Sequence, residues 1–135
     1  MKIITMKIPR KKWSEIVDIG QMVGKGDNAI KYQLDFSIKS VVRLDKMIDE
    51  LWEGEMPNNL DNMIYLFGSY LAIITDNYFN GSWTINKQTN EINFESKISK
   101  VIFNPWNWVA KKFELSENLS SKTKVIFKMI KDDMK

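Results

Sequence analysis

Two carboxylates that share one face of a helix are the first candidates for chemistry in this sequence. Asp45 and Asp49 stand one helical turn apart, and on a helical wheel Asp45 lies inside the apolar arc, between Ile38 and Trp52. A carboxylate among apolar side chains is costly unless it is hydrogen-bonded. As a functional residue, Asp45 would be a general base or part of a hard-cation site. As a structural residue, it would accept hydrogen bonds from a Trp N–H, a Tyr hydroxyl or a helix N-terminus, and the sequence favours this interpretation.

The residue types that the chain lacks exclude several kinds of catalysis. It contains no Cys, which excludes disulfides and thiolate chemistry, and no His, which removes the commonest general base and zinc ligand. One or two carboxylates on a single helix do not supply the several oxygens that a hard cation needs. We therefore expect neither a metal nor a cofactor, and the sequence favours a protein that is not an enzyme.

A pair of tryptophans beside a pair of lysines is the second candidate site. Trp106 and Trp108 flank the start of a predicted helix, and Lys111 and Lys112 follow one turn later. Stacking aromatic rings beside cations are typical of proteins that bind single-stranded nucleic acid. The alternative is core packing, in which Trp106 faces the sheet and Trp108 points elsewhere, partly exposed. Under this alternative Val109 and Phe113 also face the sheet, following the helical spacing.

Two tyrosines and a set of lysines complete the candidates. Tyr65 and Tyr70 lie on a predicted central helix, where their hydroxyls either line a pocket or, more commonly, reach the surface or a buried acceptor. A basic face near the C-terminus is either an anion-binding face or, more commonly, a solvated one. It comprises Lys122, Lys124, Lys128 and Lys131.

Charge is distributed in zones along the chain, although the net charge is only +3. Residues 1–31 carry seven Lys or Arg against three Asp or Glu; residues 32–61 carry three against seven; residues 97–135 carry nine against four. Only RKK at 10–12 is a dense cluster, and a nucleic-acid footprint is normally denser. Zoned charge of this kind is typical of a surface that steers a complementary partner.

A hydrophobic helix is predicted at the centre of the fold. Apolar residues occupy most directions of a helical wheel over about 60–79, apart from a strip of Asn62, Ser69 and Asp76. A helix that is apolar nearly all round is buried on most sides. Its uninterrupted apolar run, 63–74, is shorter than the roughly 20 residues of a membrane span. Small residues, among them Gly68, let a neighbouring element approach closely.

The remaining patterns predict an α+β fold in one globular domain, 1–135. Helices are predicted from Trp13 to Gly24 or Gly26, from the cap Ser37 to about 53, from Pro105 onward and over 118–132, with a loop at 24–28. Three short strands over about 83–103 form a small antiparallel meander. Residues 2–8 are either a short strand or a frayed arm.

The order of elements from Gly68 onward resembles a known family. The segments are GSYLAII, GSW, TINKQTNEINF and FNPWNWVAKKFE, which give a glycine-containing helix, a Gly-x-Trp strand entry, a hairpin and a Pro-led helix with a Lys-Lys pair. Over about residues 65–115 this is similar to the bacterial domain of unknown function numbered 3806. Where the family has an acidic residue after the helix glycine, this chain has Ala72 and Ile73. The resemblance implies an α+β fold and brings no activity with it.

Three functions remain open on the sequence alone. The first is a cytoplasmic protein-binding module of the immunity or accessory type, which the absent catalytic residues and the zoned charge favour. The second is nucleic-acid binding through the basic terminal segments and Trp108. The third is a ligand-binding or catalytic site at Asp45 with a tyrosine. No membrane association is predicted, no secretory signal is visible, and abundant Asn, Lys and Ile favour a bacterial source with an AT-rich genome.

Overall fold

Helices and antiparallel strands make up the structure, a computed structural model that describes residues 4–135. Among these residues the helices are α1 (Arg10–Val23), α2 (Asp27–Tyr32), α3 (Ser40–Trp52), α4 (Leu60–Tyr78), α5 (Pro105–Leu115) and α6 (Leu119–Met129). The strands are β1 (Thr5–Lys7), β2 (Gly81–Asn86), β3 (Ile92–Ser96) and β4 (Ile102–Phe103). A 3₁₀ turn, Lys131–Asp133, follows α6. The predicted α+β class is confirmed.

The sheet contains one strand more than the predicted meander. Its order is β1-β2-β3-β4, and every neighbouring pair is antiparallel. The meander is confirmed as β2, β3 and β4, whereas β1 adds an edge strand in which Met6 lies opposite Ile85. The sequence predicted either a short strand or a frayed arm for residues 2–8. Residues 2 and 3 of this segment lie outside the described residues.

The hydrophobic helix α4 lies at the centre of the core, as predicted. It packs against α1 on one side and α5 on the other, and Tyr70, Ala72 and Ile74 are fully buried. Gly68 explains the close approach of α5, because a Cβ placed there would lie 2.2 Å from Cδ1 of Trp106. Gly20 has the same role in α1, where an added Cβ would lie 2.7 Å from the carbonyl oxygen of Ser69.

Aromatic side chains join the sheet to the helices. The strand register places Trp83, Phe94 and Phe103 on one face of the sheet, where all three are buried. Trp13 of α1 stacks on Trp83 with ring centroids 5.1 Å apart, and Trp108 of α5 stacks on Phe103 at 5.0 Å. These aromatic pairs position α1 and α5 over the same face.

Three local predictions are wrong in detail. The predicted loop at 24–28 ends early, because α2 begins at Asp27, whose carboxylate suits the positive end of a helix. The helix predicted from Ser37 begins at Ser40, and the Ser37 hydroxyl instead accepts the Ser40 N–H across a turn. The last helix ends at Met129, and the chain continues in the 3₁₀ turn.

Candidate functional site

Asp45 is a buried acceptor for the N-terminus of another helix. One carboxylate oxygen accepts the N–H of Leu119 at 2.8 Å, and the other accepts the N–H of Ser120 at 2.7 Å. These groups open α6, and no side chain of α6 itself caps them. The geometry is that of the structural interpretation, in which Asp45 accepts hydrogen bonds from a helix N-terminus.

Lys112 completes this cluster from α5. Its side chain is buried, and Nζ lies 2.7 Å from Asp49, 2.8 Å from Asn118 and 3.6 Å from Asp45. Nζ therefore donates a hydrogen bond to Asn118 and forms ion pairs with two carboxylates. The cluster therefore ties α3, α5 and the start of α6 together, and every polar group of Asp45 and Lys112 already has a partner.

The hydroxyl of Tyr70 is likewise engaged inside the fold. It lies 2.6 Å from the Ser40 hydroxyl and accepts the N–H of Phe36 at 3.0 Å. Burial raises the pKa of Tyr70, although the hydrogen bonds from Ser40 and Phe36 act in the opposite direction. Tyr70 anchors the loop before α3 to the central helix and faces no groove.

The expectation that Trp108 is partly exposed is wrong. Its side chain is 6% exposed and stacks on Phe103, so it is part of the core. Phe113 does not face the sheet either, because it packs against Trp52 and Phe67. Since Lys112 also points into the core, the structure does not bring Trp106, Trp108, Lys111 and Lys112 together as a stacking platform.

Trp106, unlike Trp108, reaches a concave surface. Its indole N–H donates to the Ser69 hydroxyl at 3.3 Å, and the ring packs against Gly68. These contacts fix the orientation of the half-buried indole. The groove that it lines, here called the aromatic groove, has a volume of about 680 Å³. It is lined by Pro9, Lys12, Tyr65, Ile85, Asn90, Glu91, Ile92, Asn104 and Trp106.

A hydrogen-bonded triad forms one rim of the aromatic groove. Nζ of Lys12 lies 2.9 Å from Glu15 and 3.4 Å from the hydroxyl of Tyr65, and that hydroxyl donates to Glu15 at 2.9 Å. The hydrogen bond to Glu15 raises the pKa of Lys12, and the same bond lowers the pKa of Glu15. Burial, followed by the hydrogen bond to Glu15, raises the pKa of Tyr65. The rim therefore presents a fixed ammonium and a neutral phenol at neutral pH.

Three cations in the first turn of α1 and one at the end of β1 lie close together in the chain. They form what we call the basic ridge: Lys7, Arg10, Lys11 and Lys12. Lys12 is paired with Glu15, but within the described part of the chain no carboxylate lies within ion-pairing distance of Lys7, Arg10 or Lys11. Arg10 and Lys11 border a second concavity along α1, and Lys7 and Arg10 border a third beside Trp83.

The basic ridge conflicts with the helix on which it lies. The N-terminus of a helix carries a partial positive charge, which favours acidic residues and disfavours cations. The first turn of α1 nevertheless contains Arg10, Lys11 and Lys12 and no acid, and no side chain caps it. Of these three cations, only Lys12 has an ion pair within the helix, with Glu15, that offsets this cost.

The sequence pointed to only part of this surface. It singled out Tyr65, Trp106 and the RKK cluster separately, but it did not join them, because α1, α4 and α5 are far apart in sequence. A usable signal was present in the RKK cluster itself. Pro9 directly before the cluster favours a helix that starts at Arg10 and not at Trp13, and cations in the first turn of a helix are unusual.

Comparisons with protein-family models, with curated proteins and with solved structures found no match to this chain. The resemblance over residues 65–115 therefore stays a prediction. No residue role comes to this chain from a relative, and the surface is interpreted from its own geometry.

Two further observations limit the kinds of site to consider. Over residues 4–135, no three acidic side chains converge closely enough to hold a metal ion. In that same range, no helix combines the length and the apolar character needed to cross a bilayer.

Proposed function

We propose that the protein is a non-enzymatic protein-binding module, of the immunity or accessory type, which holds a partner protein at the basic ridge and the aromatic groove. The unpaired cations beside an aromatic concavity carry this proposal. Arg10 and Lys11 are exposed, and no carboxylate among residues 4–135 lies within ion-pairing distance of either. The groove beside them offers the apolar walls of Tyr65 and Trp106.

Both features are typical of the parts that a protein interface needs. Unpaired charge steers a complementary partner and raises its rate of association. Aromatic side chains in a concave site supply much of the binding energy once water is excluded from them. A partner whose contact segment is acidic fits the ridge, because each carboxylate would gain a cation that is otherwise solvated.

Acidic residues in the concavities favour a protein partner over nucleic acid. Glu15, Glu91 and Asp76 each line one of the three concavities around the ridge. A phosphate backbone is negative throughout and would be repelled at these points, whereas a protein segment can place acidic, apolar and basic groups separately. The burial of Trp108 also removes the ring that nucleic-acid binding was expected to use.

The location that we propose is the cytoplasm. The chain has no cysteine and so could form no disulfide in an oxidising compartment, which favours this location.

Affinity purification of the tagged protein from its native cells tests the proposal. We would compare the wild type with two charge-reversed variants, Arg10→Glu/Lys11→Glu on the ridge and Lys124→Glu/Lys128→Glu on α6. Both pairs make the same charge change at exposed positions. The proposal expects one stoichiometric protein that co-purifies with the wild type and the α6 variant but is lost from the ridge variant.

Other results would contradict the proposal. A partner that the ridge variant retains would place the interface elsewhere. Nucleic acid in place of protein, lost as salt rises, would contradict the class of partner. Recovery of the wild-type protein alone at moderate salt would contradict the binding function.

A further inference from the structure

We infer that the acidic partner segment binds as an added strand on the open edge of β1, and this inference rests on the proposed function. The edge, the side chains along it and the charges beside it each specify a property of the segment. Together they define an extended peptide with alternating acidic and apolar residues.

Strand β1 has one set of main-chain groups that points away from the sheet. On the β2 side, Ile8 N–H donates to Trp83 at 3.0 Å, and Lys87 N–H donates to Ile4 at 2.6 Å. Hydrogen-bonded pairs alternate along an antiparallel ladder, so Met6 also faces β2. The N–H and C=O groups of Thr5 and Lys7 therefore point to the open edge, where they can pair with another strand.

The two faces of β1 would present different side chains to an added strand. Met6 lies opposite Ile85, which lines the aromatic groove, so Met6 and Ile4 are on the groove side of the sheet. These two apolar side chains are 41% and 37% exposed. Lys7 lies opposite Thr84 on the other face. An added strand would therefore cover apolar side chains on one face and meet a cation on the other.

The charges select an acidic segment of another protein over a second copy of this chain. Antiparallel pairing of two β1 strands would place the two Lys7 side chains near each other, and β1 carries no carboxylate to pair with either. Like charges that face each other across an interface are unfavourable. Carboxylates at alternate positions would instead lie on the same face of the sheet as Lys7.

The opposite edge of the sheet lacks these features. Strand β4 contains only Ile102 and Phe103, and only Ile102 directs its main-chain groups outward. No cation lies on β4. The charge and the apolar side chains therefore favour β1 as the edge that accepts a partner.

A proline substitution separates strand addition from charge attraction. Thr5→Pro removes an outward N–H but leaves the hydrogen bonds between β1 and β2, because proline is compatible with the free side of an edge strand. The probe is a short, capped peptide of alternating Glu and Val, and its control is the same peptide with Lys in place of Glu. Binding is measured at about 50 mM salt, where screening is weak.

Strand addition predicts that the Glu-Val peptide binds the wild type and slows exchange of the Thr5 and Lys7 amides. It predicts that Thr5→Pro weakens binding about tenfold, since a main-chain hydrogen bond is lost and an extended strand cannot pair fully. The Lys-Val peptide should not bind. Circular dichroism establishes that Thr5→Pro is folded, and amide exchange in the wild type gives a readout that needs no variant.

Each contrary result has a distinct meaning. Equal binding by Thr5→Pro, with binding lost in Arg10→Glu/Lys11→Glu, would overturn strand addition and leave the proposed binding surface intact. No binding of the Glu-Val peptide, or equal binding of the Lys-Val peptide, would overturn the inferred ligand chemistry. A dimer of the wild type that Thr5→Pro abolishes would identify a second copy as the occupant and overturn the acidic partner.

Discussion

The carboxylate of Asp45 lies 2.8 Å from the amide nitrogen of Leu119, a residue 74 positions further along the chain. This contact joins the middle of α3 to the start of α6, and the second carboxylate oxygen holds the next amide. A helix start is thereby capped by a side chain from another element. The contact gives Asp45 a role in folding that requires no ligand.

Replacement of Asp45 should destabilise the fold in proportion to the acceptors that it removes. Asp45→Ala leaves the Leu119 and Ser120 N–H groups without an acceptor and removes a charge near the buried Lys112, which should cost about 3 kcal/mol. Asp45→Asn keeps one acceptor oxygen and should cost less. Urea unfolding followed by circular dichroism measures both.

Asp49→Asn is the matched control for Asp45. Asp49 also contacts Lys112, but its side chain is 62% exposed. Lys112 is buried, but water screens the Asp49 end of this ion pair and Asn keeps an acceptor oxygen, so this variant should cost about 1 kcal/mol or less. If Asp49→Asn proved as costly as Asp45→Asn, the charge on Lys112 would matter more than the cap on α6.

The role of Asp45 illustrates how far a sequence pattern reaches. A helical wheel showed that Asp45 falls on the apolar face, and this alone predicted a hydrogen-bonded carboxylate. The helical wheel could not identify α6 as the partner of Asp45, because a wheel describes one helix at a time. The bounds of α4, in contrast, could be predicted from the sequence, because its apolar pattern and the stop at Asn80 are both local features.

Properties that depend on contacts between elements distant in the chain could not be predicted from the sequence. Helical spacing placed Trp106, Val109 and Phe113 on one face, but the position of Phe103 decides that Trp108 is buried. The aromatic groove likewise requires α1, α4, α5 and the β2–β3 hairpin to meet at one point. The hydrophobic effect favours burial without direction, so it could not select between these arrangements from composition alone.

Gly68→Ala should destabilise the protein although alanine is the better helix former. The added Cβ would lie 2.2 Å from Cδ1 and 2.9 Å from Cα of Trp106, so α5 must move away from α4. Such overpacking costs about 1–3 kcal/mol, of which the helix propensity of alanine returns at most about 1 kcal/mol. Thermal unfolding gives the change, and Trp fluorescence reports the displaced indole.

Asn62→Ala, on the exposed side of α4, provides the comparison for Gly68. It makes a similar gain in helix propensity with no neighbour to displace, so its stability should rise by about 0.5 kcal/mol or less. A Gly68→Ala protein as stable as Asn62→Ala would show that the spacing of α4 and α5 is not tight.

Asp133 should make stability fall in acid. Burial acts to raise the pKa of Asp133, but the N–H groups of Ile98 and Ser99 outweigh it and hold this pKa below its usual value. A carboxyl with a lowered folded-state pKa stabilises the fold above its unfolded pKa of about 3.9. That contribution is lost as the pH falls through the folded-state pKa. Asp133→Asn should therefore flatten the acid limb of urea unfolding between about pH 5 and about pH 2.

The neighbouring residue Asp132 supplies a control with the same chemistry. It is exposed and makes no side-chain hydrogen bond to any other residue of 4–135. Asp132→Asn should keep the acid dependence of the wild type. An identical profile for both variants would show that Asp133 does not govern it.

Charge reversal on the basic ridge should stabilise the isolated protein even as it removes partner binding. Arg10→Glu and Lys11→Glu replace cations with acids in the first turn of α1, where the helix dipole favours negative charge by about 0.3–1 kcal/mol for each residue. Lys128→Glu makes the same change in the last turn of α6, where the dipole has the opposite sign, and should destabilise. Urea unfolding at low salt measures these changes in stability, and they should shrink as salt rises.

If the ridge variant were less stable than the wild type, the cations of the ridge would be stabilising the fold. A loss of binding could then no longer be assigned to the contact surface. A gain in stability together with a loss of binding is the result that a surface maintained for a partner requires.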